Sequence, residues 1–322
     1  MSGAPQSRSG RLFPAVDGVS HRFVEVGGVR VHVAEAGGGD PVVLLHGFAQ
    51  HWYAWHRVIP LLADRYRLVC PDLVGFGWSD SPRHGYGTAE RLRWLLGLLE
   101  VLDLRQVRLV GHETGGWLAL VAGLEHPDRF THLAALNVAA PWTPRRRLAV
   151  HAWRNWYTGI VEQPLLGRLA IQHWAALDRF LLSHYATSPW DPAVLDEFVT
   201  AMRAPRCARA AEIQTRRFVF EDIWNLAVGR YRHQQPAVPV LLLGGERDFF
   251  TPPKLLRSAE LPAGNPQIRI VAGAGHYLPE EHPAAAARHL VELFARHHRE
   301  PTGAPVEPPA GTSEATGPRS PS

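Results

Sequence analysis

Lysine is almost missing from this chain: Lys254 is the only one, and arginine carries nearly all the positive charge. With 34 basic and 30 acidic residues the formal charge is +4, and the sequence pI is 9.4. The arginines are scattered and no RNA- or DNA-binding signature accompanies them, so nucleic acid is not expected as a partner. Cysteine is as scarce. Cys70 and Cys207 cannot form a disulfide framework, no Cys/His cluster has zinc spacing, and neither metal nor cofactor is expected. Cys70, within the apolar run from Arg67 to Leu73, reads as a small buried hydrophobe. Long apolar stretches are also absent. No run reaches the ~18 residues of a membrane span, and the first ten residues hold no signal-like segment. A soluble cytoplasmic protein without a membrane partner is the expectation, with a homodimer left open.

At 322 residues and 46% apolar, the chain can bury one large α/β core and has room for an insertion. Residues 1–15 and 299–322 are rich in Pro, Gly, Ser, Thr and Ala, too poor in large apolar groups to offset ordering entropy, and are expected to be disordered. His21 to Ala36 alternates around Gly27-Gly28 as a hairpin would. Short apolar runs then recur as buried parallel strands do: Pro41 to Leu45, Leu68 to Leu73, Val107 to Gly111, Leu133 to Val138, Val238 to Leu243 and Ile268 to Val271. Helical patterns fall between them, at about Trp52 to Asp64, Thr88 to Leu102, Thr114 to His126, Pro253 to Glu260 and Pro283 to His298.

Strand-helix alternation of this kind predicts a mostly parallel, doubly wound sheet, with core segments at 16–140 and 237–298. The pattern breaks between them. Residues 141–236 carry no clear strand but six tryptophans, Trp142, Trp153, Trp156, Trp174, Trp190 and Trp224. This stretch is expected to be a helical cap over the carboxyl ends of the strands, where open α/β sheets bind ligands.

Three predicted loops at strand ends carry chemistry. Arg108 to Leu120 runs as a strand through Gly111-His112-Glu113-Thr114-Gly115 into a helix, the small-x-nucleophile-x-small turn of a nucleophile elbow. Asp248 follows the strand before Gly244-Gly245, and His276 follows the last strand after Ala274-Gly275. Nucleophile, acid, histidine is the order of the α/β-hydrolase triad. Glu246 is a rival for the acid, but the spacing of Asp248 to Pro252 favours Asp248.

These loops, with His46-Gly47-Phe48, Trp52-Tyr53-x-Trp55, the segment Pro71 to Asp80 and Gly275 to Glu281, resemble the α/β-hydrolase fold, in its branch of epoxide hydrolases and haloalkane or haloacetate dehalogenases. The likeness runs from about Phe23 to His298. It implies a catalytic triad of Glu113, Asp248 and His276, and an oxyanion hole from the backbone N–H groups of Phe48 and Thr114. The family's usual elbow reads Gly-His-Asp-Trp-Gly-Gly; here glutamate replaces the aspartate and Thr114 the tryptophan.

A carboxylate can displace at a saturated carbon without first losing a proton, leaving an ester that a histidine-activated water then cleaves. The implied substrate is a small or medium apolar molecule. Epoxide hydrolysis stands ahead of dehalogenation, and a carboxylate argues against ordinary ester cleavage. Glutamate displaces the reacting oxygen by roughly 1.5 Å relative to aspartate, and a misplacement of about 1 Å can cost on the order of 10²-fold in rate. Three readings follow: Glu113 as nucleophile in a reshaped pocket, Glu113 as general base, or a silent site in a ligand-binding protein. The acid that protonates a departing oxygen is sought among Tyr157, Tyr185 and Tyr231, the last in a Tyr231-Arg232 pair, with the segment Gln214 to Phe218 as the alternative position. Trp52 is expected to touch substrate. His46, His112, Asp72 and Ser79 read as structural.

Overall fold

The computed structural model describes residues 11–48, 50–260 and 265–296. Its centre is an eight-stranded sheet, β1 (Ser20–Val26), β2 (Val29–Ala36), β3 (Asp40–Leu45), β4 (Tyr66–Pro71), β5 (Val107–His112), β6 (Phe130–Leu136), β7 (Val240–Gly245) and β8 (Gln267–Val271). The strands lie in the order β1-β2-β4-β3-β5-β6-β7-β8. Only β2 runs antiparallel to its neighbours; every pairing from β4 through β8 is parallel. This is the mostly parallel, doubly wound sheet that the strand-helix alternation predicts.

Successive strand residues enter opposite cores. Val42, Leu44, Val110 and Leu243 pack on one face, while Val43, Leu45, Leu109 and Leu242 pack on the other. Burial on both faces leaves no polar alternation, which is why these strands read in the sequence as short unbroken apolar runs. The helices Thr88–Val101 and Thr114–Glu125 bury Leu92, Leu95, Leu99, Trp117, Leu118 and Leu120 in the second of these cores.

Some predicted bounds shift. The segment expected as one helix from Trp52 to Asp64 is a 3-10 turn, Trp52–Trp55, followed by a short helix, Ile59–Leu62. The break has a local cause: the Trp52 N–H is drawn to Asp72 Oδ1 at 2.7 Å, and Pro60 lies in the first turn of the second piece. The helix expected to run to Glu260 ends at Leu256. Within residues 11–15, expected to be disordered, Arg11 and Phe13 are packed: Arg11 pairs with Glu197, and the Phe13 ring stacks on His21 at 4.1 Å and on His32 at 4.7 Å. The Phe13 ring also meets Phe23 and Trp78, and Arg11 lies over the Trp78 ring, contacts that composition does not suggest. The rest of the expected tails, 1–10 and 299–322, lies outside the described residues.

Between β6 and β7 the described chain is helical, with the helices Arg145–His151, Leu166–His173, Ala175–His184, Pro192–Arg203 and Pro205–Arg217 among its elements. A π-helical turn, Phe218–Asp222, joins Pro205–Arg217 to the short helix Ile223–Ala227. Within this insertion the tryptophans divide. Trp142 and Trp190 are buried, whereas Trp153, Trp156, Trp174 and Trp224 are exposed.

Candidate functional site

The elbow is built by close approach. A Cβ on Gly111 would strike the Gly115 carbonyl oxygen, and one on Gly115 would strike the His46 carbonyl oxygen, so strand and helix meet only through glycine. Glu113 between them has φ 50 and ψ −115, a left-handed conformation that a side chain tolerates only where the surrounding packing imposes it. The strain lifts the carboxylate off the end of β5.

The carboxylate then lands in the implied oxyanion hole. Glu113 Oε2 accepts the Phe48 N–H at 2.7 Å and the Thr114 N–H at 2.7 Å. Both bonds go to one oxygen, leaving Oε1 free of them. The extra methylene of glutamate is therefore absorbed without losing the hole, since the longer chain folds back until one oxygen spans the two amides.

The loop after β7 supplies Asp248 and the loop after β8 supplies His276. His276 Nδ1 lies 3.1 Å from Asp248 Oδ1, which also accepts the N–H groups of Phe250 at 2.9 Å and Thr251 at 3.1 Å. Asp248 Oδ2 accepts the Asn137 side-chain amide at 2.9 Å, and the same amide donates to the Gly275 carbonyl at 3.0 Å. Burial pushes the Asp248 carboxyl upward, but His276, Asn137 and Thr251 outweigh it, and the net direction is down. For His276, burial works downward; the charge and hydrogen bond of Asp248, then the charges of Glu113 and Glu281, reverse it to a net rise.

Asn137 is the residue that sequence reasoning missed. It sits just past β6 at φ 53 and ties the acid to the histidine loop. Asparagine after a strand, as one of the few residues at ease in that conformation, was the only signal.

Neighbouring polar residues are fasteners. His46 Nδ1 donates to the Gly47 carbonyl at 2.8 Å while its Nε2 accepts the Leu73 N–H at 2.9 Å, a single neutral tautomer that braces the Phe48 loop. Burial lowers its pKa to about 4. His112 Nε2 lies 2.8 Å from the His276 carbonyl, and burial with the nearby His276 lowers its pKa to about 3, so it carries no exchangeable charge at neutral pH. Glu246 is exposed and accepts the Gly273 N–H at 2.9 Å.

Phe48, Glu113, Thr114, Tyr157, Thr215 and His276 line one cavity of about 560 Å³, walled further by Trp117, Val138, Leu148, Phe218, Leu226 and Phe250. Of the expected substrate contacts, Tyr157 is on this wall. Burial raises its phenol well above 10, and the Glu113 charge adds to the rise. Tyr185 stands behind the wall, with its hydroxyl accepting Trp156 Nε1 at 2.9 Å and its ring stacked on Phe249 at 4.7 Å. Tyr185 is thus not among the lining residues, and two further expectations are corrected. Tyr231 packs on the far side of Trp117 and gives its hydroxyl to Glu125 at 2.9 Å, outside the cavity; Gln214, Thr215 and Phe218 occupy the wall in its place. Trp52 is fully buried against His21 and Tyr53 and belongs to the core.

Fold and elbow together define an α/β hydrolase. Residues 40–283 match the family model of the alpha/beta hydrolase fold, and the chain belongs to that family and is a hydrolase. It is 26% identical over 294 residues to the soluble epoxide hydrolase of Corynebacterium sp. (strain C12), covering 86% of this chain and 98% of that protein. A stretch of 156 residues is 33% identical to the fluoroacetate dehalogenase of Burkholderia sp., over 46% of this chain and 51% of that protein. Among solved structures, wild-type Cfl2 from Burkholderia cenocepacia superposes with a TM-score of 0.76 at 31% identity, over 88% of this chain and 98% of that one. The ligand-free epoxide hydrolase CorEH superposes at 0.71 with 26% identity, over 86% and 99% of the two chains. The chain is thus similar to the epoxide hydrolase and dehalogenase branch that its motifs imply. No helix among the described residues is long and apolar enough to cross a membrane.

Proposed function

We propose that the protein hydrolyses small or medium apolar epoxides through a covalent ester on Glu113. One observation carries this reading: Glu113 Oε2 is held by both Phe48 and Thr114 N–H groups while the same carboxylate faces a cavity shared with His276. Oε1 attacks a ring carbon and the carbon–oxygen bond of the epoxide breaks. The departing alkoxide takes the Tyr157 proton. A phenol raised by burial and by the Glu113 charge keeps its proton in the resting enzyme, and forming the ester removes that charge when the proton is needed.

Oε2 is now the ester carbonyl oxygen, already in the oxyanion hole. His276 takes a proton from water, which attacks the ester carbon, and the negative charge that develops on Oε2 meets two donors in place. Collapse expels the second alkoxide, which takes the His276 proton, and the proton of the regenerated carboxyl restores the Tyr157 phenol. Epoxide and water give a diol, with every proton returned.

Displacement of an alkyl halide would use the same ester, but halide release calls for an N–H partner. The cavity offers Tyr157 as an O–H acid, and Thr114 stands where the family's tryptophan would be, which favours an epoxide. A single turnover in ¹⁸O-labelled water with enzyme in excess tests the proposal. Label should enter the Glu113 carboxylate, because one of its oxygens leaves in the product. Label in the diol alone would make Glu113 a general base; absence of turnover across a panel of epoxides, haloacids and activated esters would leave the site silent.

A further inference from the structure

The helix Arg145–His151 faces two ways. Arg145, Arg146 and Ala149 line the cavity, whereas Val150 and, in the next turn, Trp153 are 65% and 61% exposed. In the short helix Ile223–Ala227, Ile223 lines the cavity, and the neighbouring Trp224 and Val228 are 65% and 57% exposed. A rim with that much large apolar surface is poorly matched to water alone.

Charge on this rim is equally unmatched. Arg145, Arg146 and Arg147 are consecutive at the start of their helix, where they repel one another and the positive end of its dipole, and none has an ion pair among the described residues. Other arginines of the insertion are engaged: Arg154 donates to the Phe249 carbonyl at 2.6 Å, Arg217 pairs with Glu221, and Arg230 pairs with Glu125 at 3.1 Å. Free guanidinium groups beside exposed tryptophan are the chemistry of an interface between water and anionic lipid, where indole rings sit at the headgroup level.

We propose that this rim docks on an anionic lipid surface with the cavity mouth turned toward it. A second copy of the chain fits less well. A two-fold contact would bring two arginine triplets together, and Glu221 beside the rim is already paired. Docking of this kind needs no spanning segment, so the lack of one, on which the expectation of no membrane partner rests, does not oppose it.

Vesicle co-sedimentation tests the proposal without reference to turnover. The full-length protein should pellet with phosphatidylcholine vesicles containing about 30 mol% phosphatidylserine, remain in solution with pure phosphatidylcholine, and be released by salt. Arg147→Ser should weaken binding roughly fivefold, and adding Trp153→Ser and Trp224→Ser should bring the loss to the order of 10²-fold. None of the three lines the cavity and both tryptophans are exposed, so folding, checked by thermal melt, should be unchanged. Arg147→Lys should restore the single-site loss. Wild-type protein that ignores anionic vesicles, or a triple variant that binds them unchanged, would overturn the proposal. So would light scattering that finds a dimer broken by the same three changes, which would assign the rim to a second copy.

Discussion

Asp72 follows β4 and Glu113 follows β5, and each carboxylate accepts two backbone N–H groups near the carboxyl end of the sheet. Asp72 spreads its bonds over both oxygens: Oδ1 takes Trp52 N–H at 2.7 Å, and Oδ2 takes Trp78 N–H at 2.8 Å together with His32 Nδ1 at 2.8 Å. Burial alone would raise its pKa, yet His32, and behind it His51 and His46, drive it well below the carboxylate range. Glu113 gives both its backbone bonds to Oε2 and turns toward a cavity. The same donors thus make a fastener when they saturate a carboxylate and a poised group when they hold only half of it. Which of the two a buried acid becomes depends on whether an oxygen is left over.

Exchanging acid for amide at both positions sharpens that difference. Glu113→Gln should lower turnover on an epoxide by about 10⁴-fold or more, since an amide cannot supply the attacking oxygen, while its effect on urea unfolding should be small. Asp72→Asn should do the reverse in kind. It sets an NH₂ against a backbone donor in a fully buried site and should cost about 3–5 kcal/mol of stability. Because the folded pKa of Asp72 lies below its unfolded value near 4, its contribution is complete above that value and fades as pH falls toward the folded one. The stability gap between wild type and Asp72→Asn should therefore narrow on acidification. A constant gap would mean that charge at Asp72 contributes nothing.

The sheet and elbow were legible because their physics is local. Two-sided burial writes unbroken apolar runs, and close approach of strand to helix demands Gly111 and Gly115. The wall of the cavity was not, because it depends on how separate helices pack. Tyr231-Arg232 looked like a reactive pair in the chain, but the fold turns the tyrosine to Glu125, and Gln214 and Thr215 fill the wall. Trp52 failed for a similar reason: an aromatic in a loop motif can be either core or contact, and only its full burial decides. The folding back of Glu113 onto its own hole is a rotamer, which no sequence pattern encodes.

Asp248 offers a second contrast with Glu113, because in the proposed mechanism it acts only through His276. Asp248→Asn keeps a side chain of the same shape but loses the largest of the charges that lift His276, leaving only those of Glu113 and Glu281 to oppose burial, so the imidazole pKa falls. Under the proposed mechanism, cleavage of the ester needs neutral His276. In the wild type the rate should rise with pH through a value above 6.5, the ordinary one, and in Asp248→Asn that limb should move to lower pH while the plateau falls on the order of 10²-fold, about 2.7 kcal/mol. A lower plateau with the limb unmoved would mean that Asp248 orients the ring without setting its charge. Asn137→Ala, which removes the amide tying Asp248 to Gly275, should move the limb the same way by less, measured in the same pH series.

Glu246 is the control for Asp248, two residues away and with the same charge. It is exposed and accepts one bond, from Gly273 N–H at 2.9 Å on the loop leading to His276. Loss of that bond leaves the amide to water, which can replace the partner at little cost. Glu246→Ala should therefore change stability by no more than about 0.5 kcal/mol and leave both the plateau and the pH limb of turnover where they are. The comparison has consequences in either direction. If Glu246→Ala shifted the limb as Asp248→Asn does, the long-range field of an exposed carboxylate would be acting on His276 across a solvated loop, where screening at physiological salt over about 8 Å should suppress it. If it lowered the plateau with the limb fixed, the Gly273 turn itself would be setting the position of the histidine, and the burden of alignment would pass from the buried acid to the backbone of the loop.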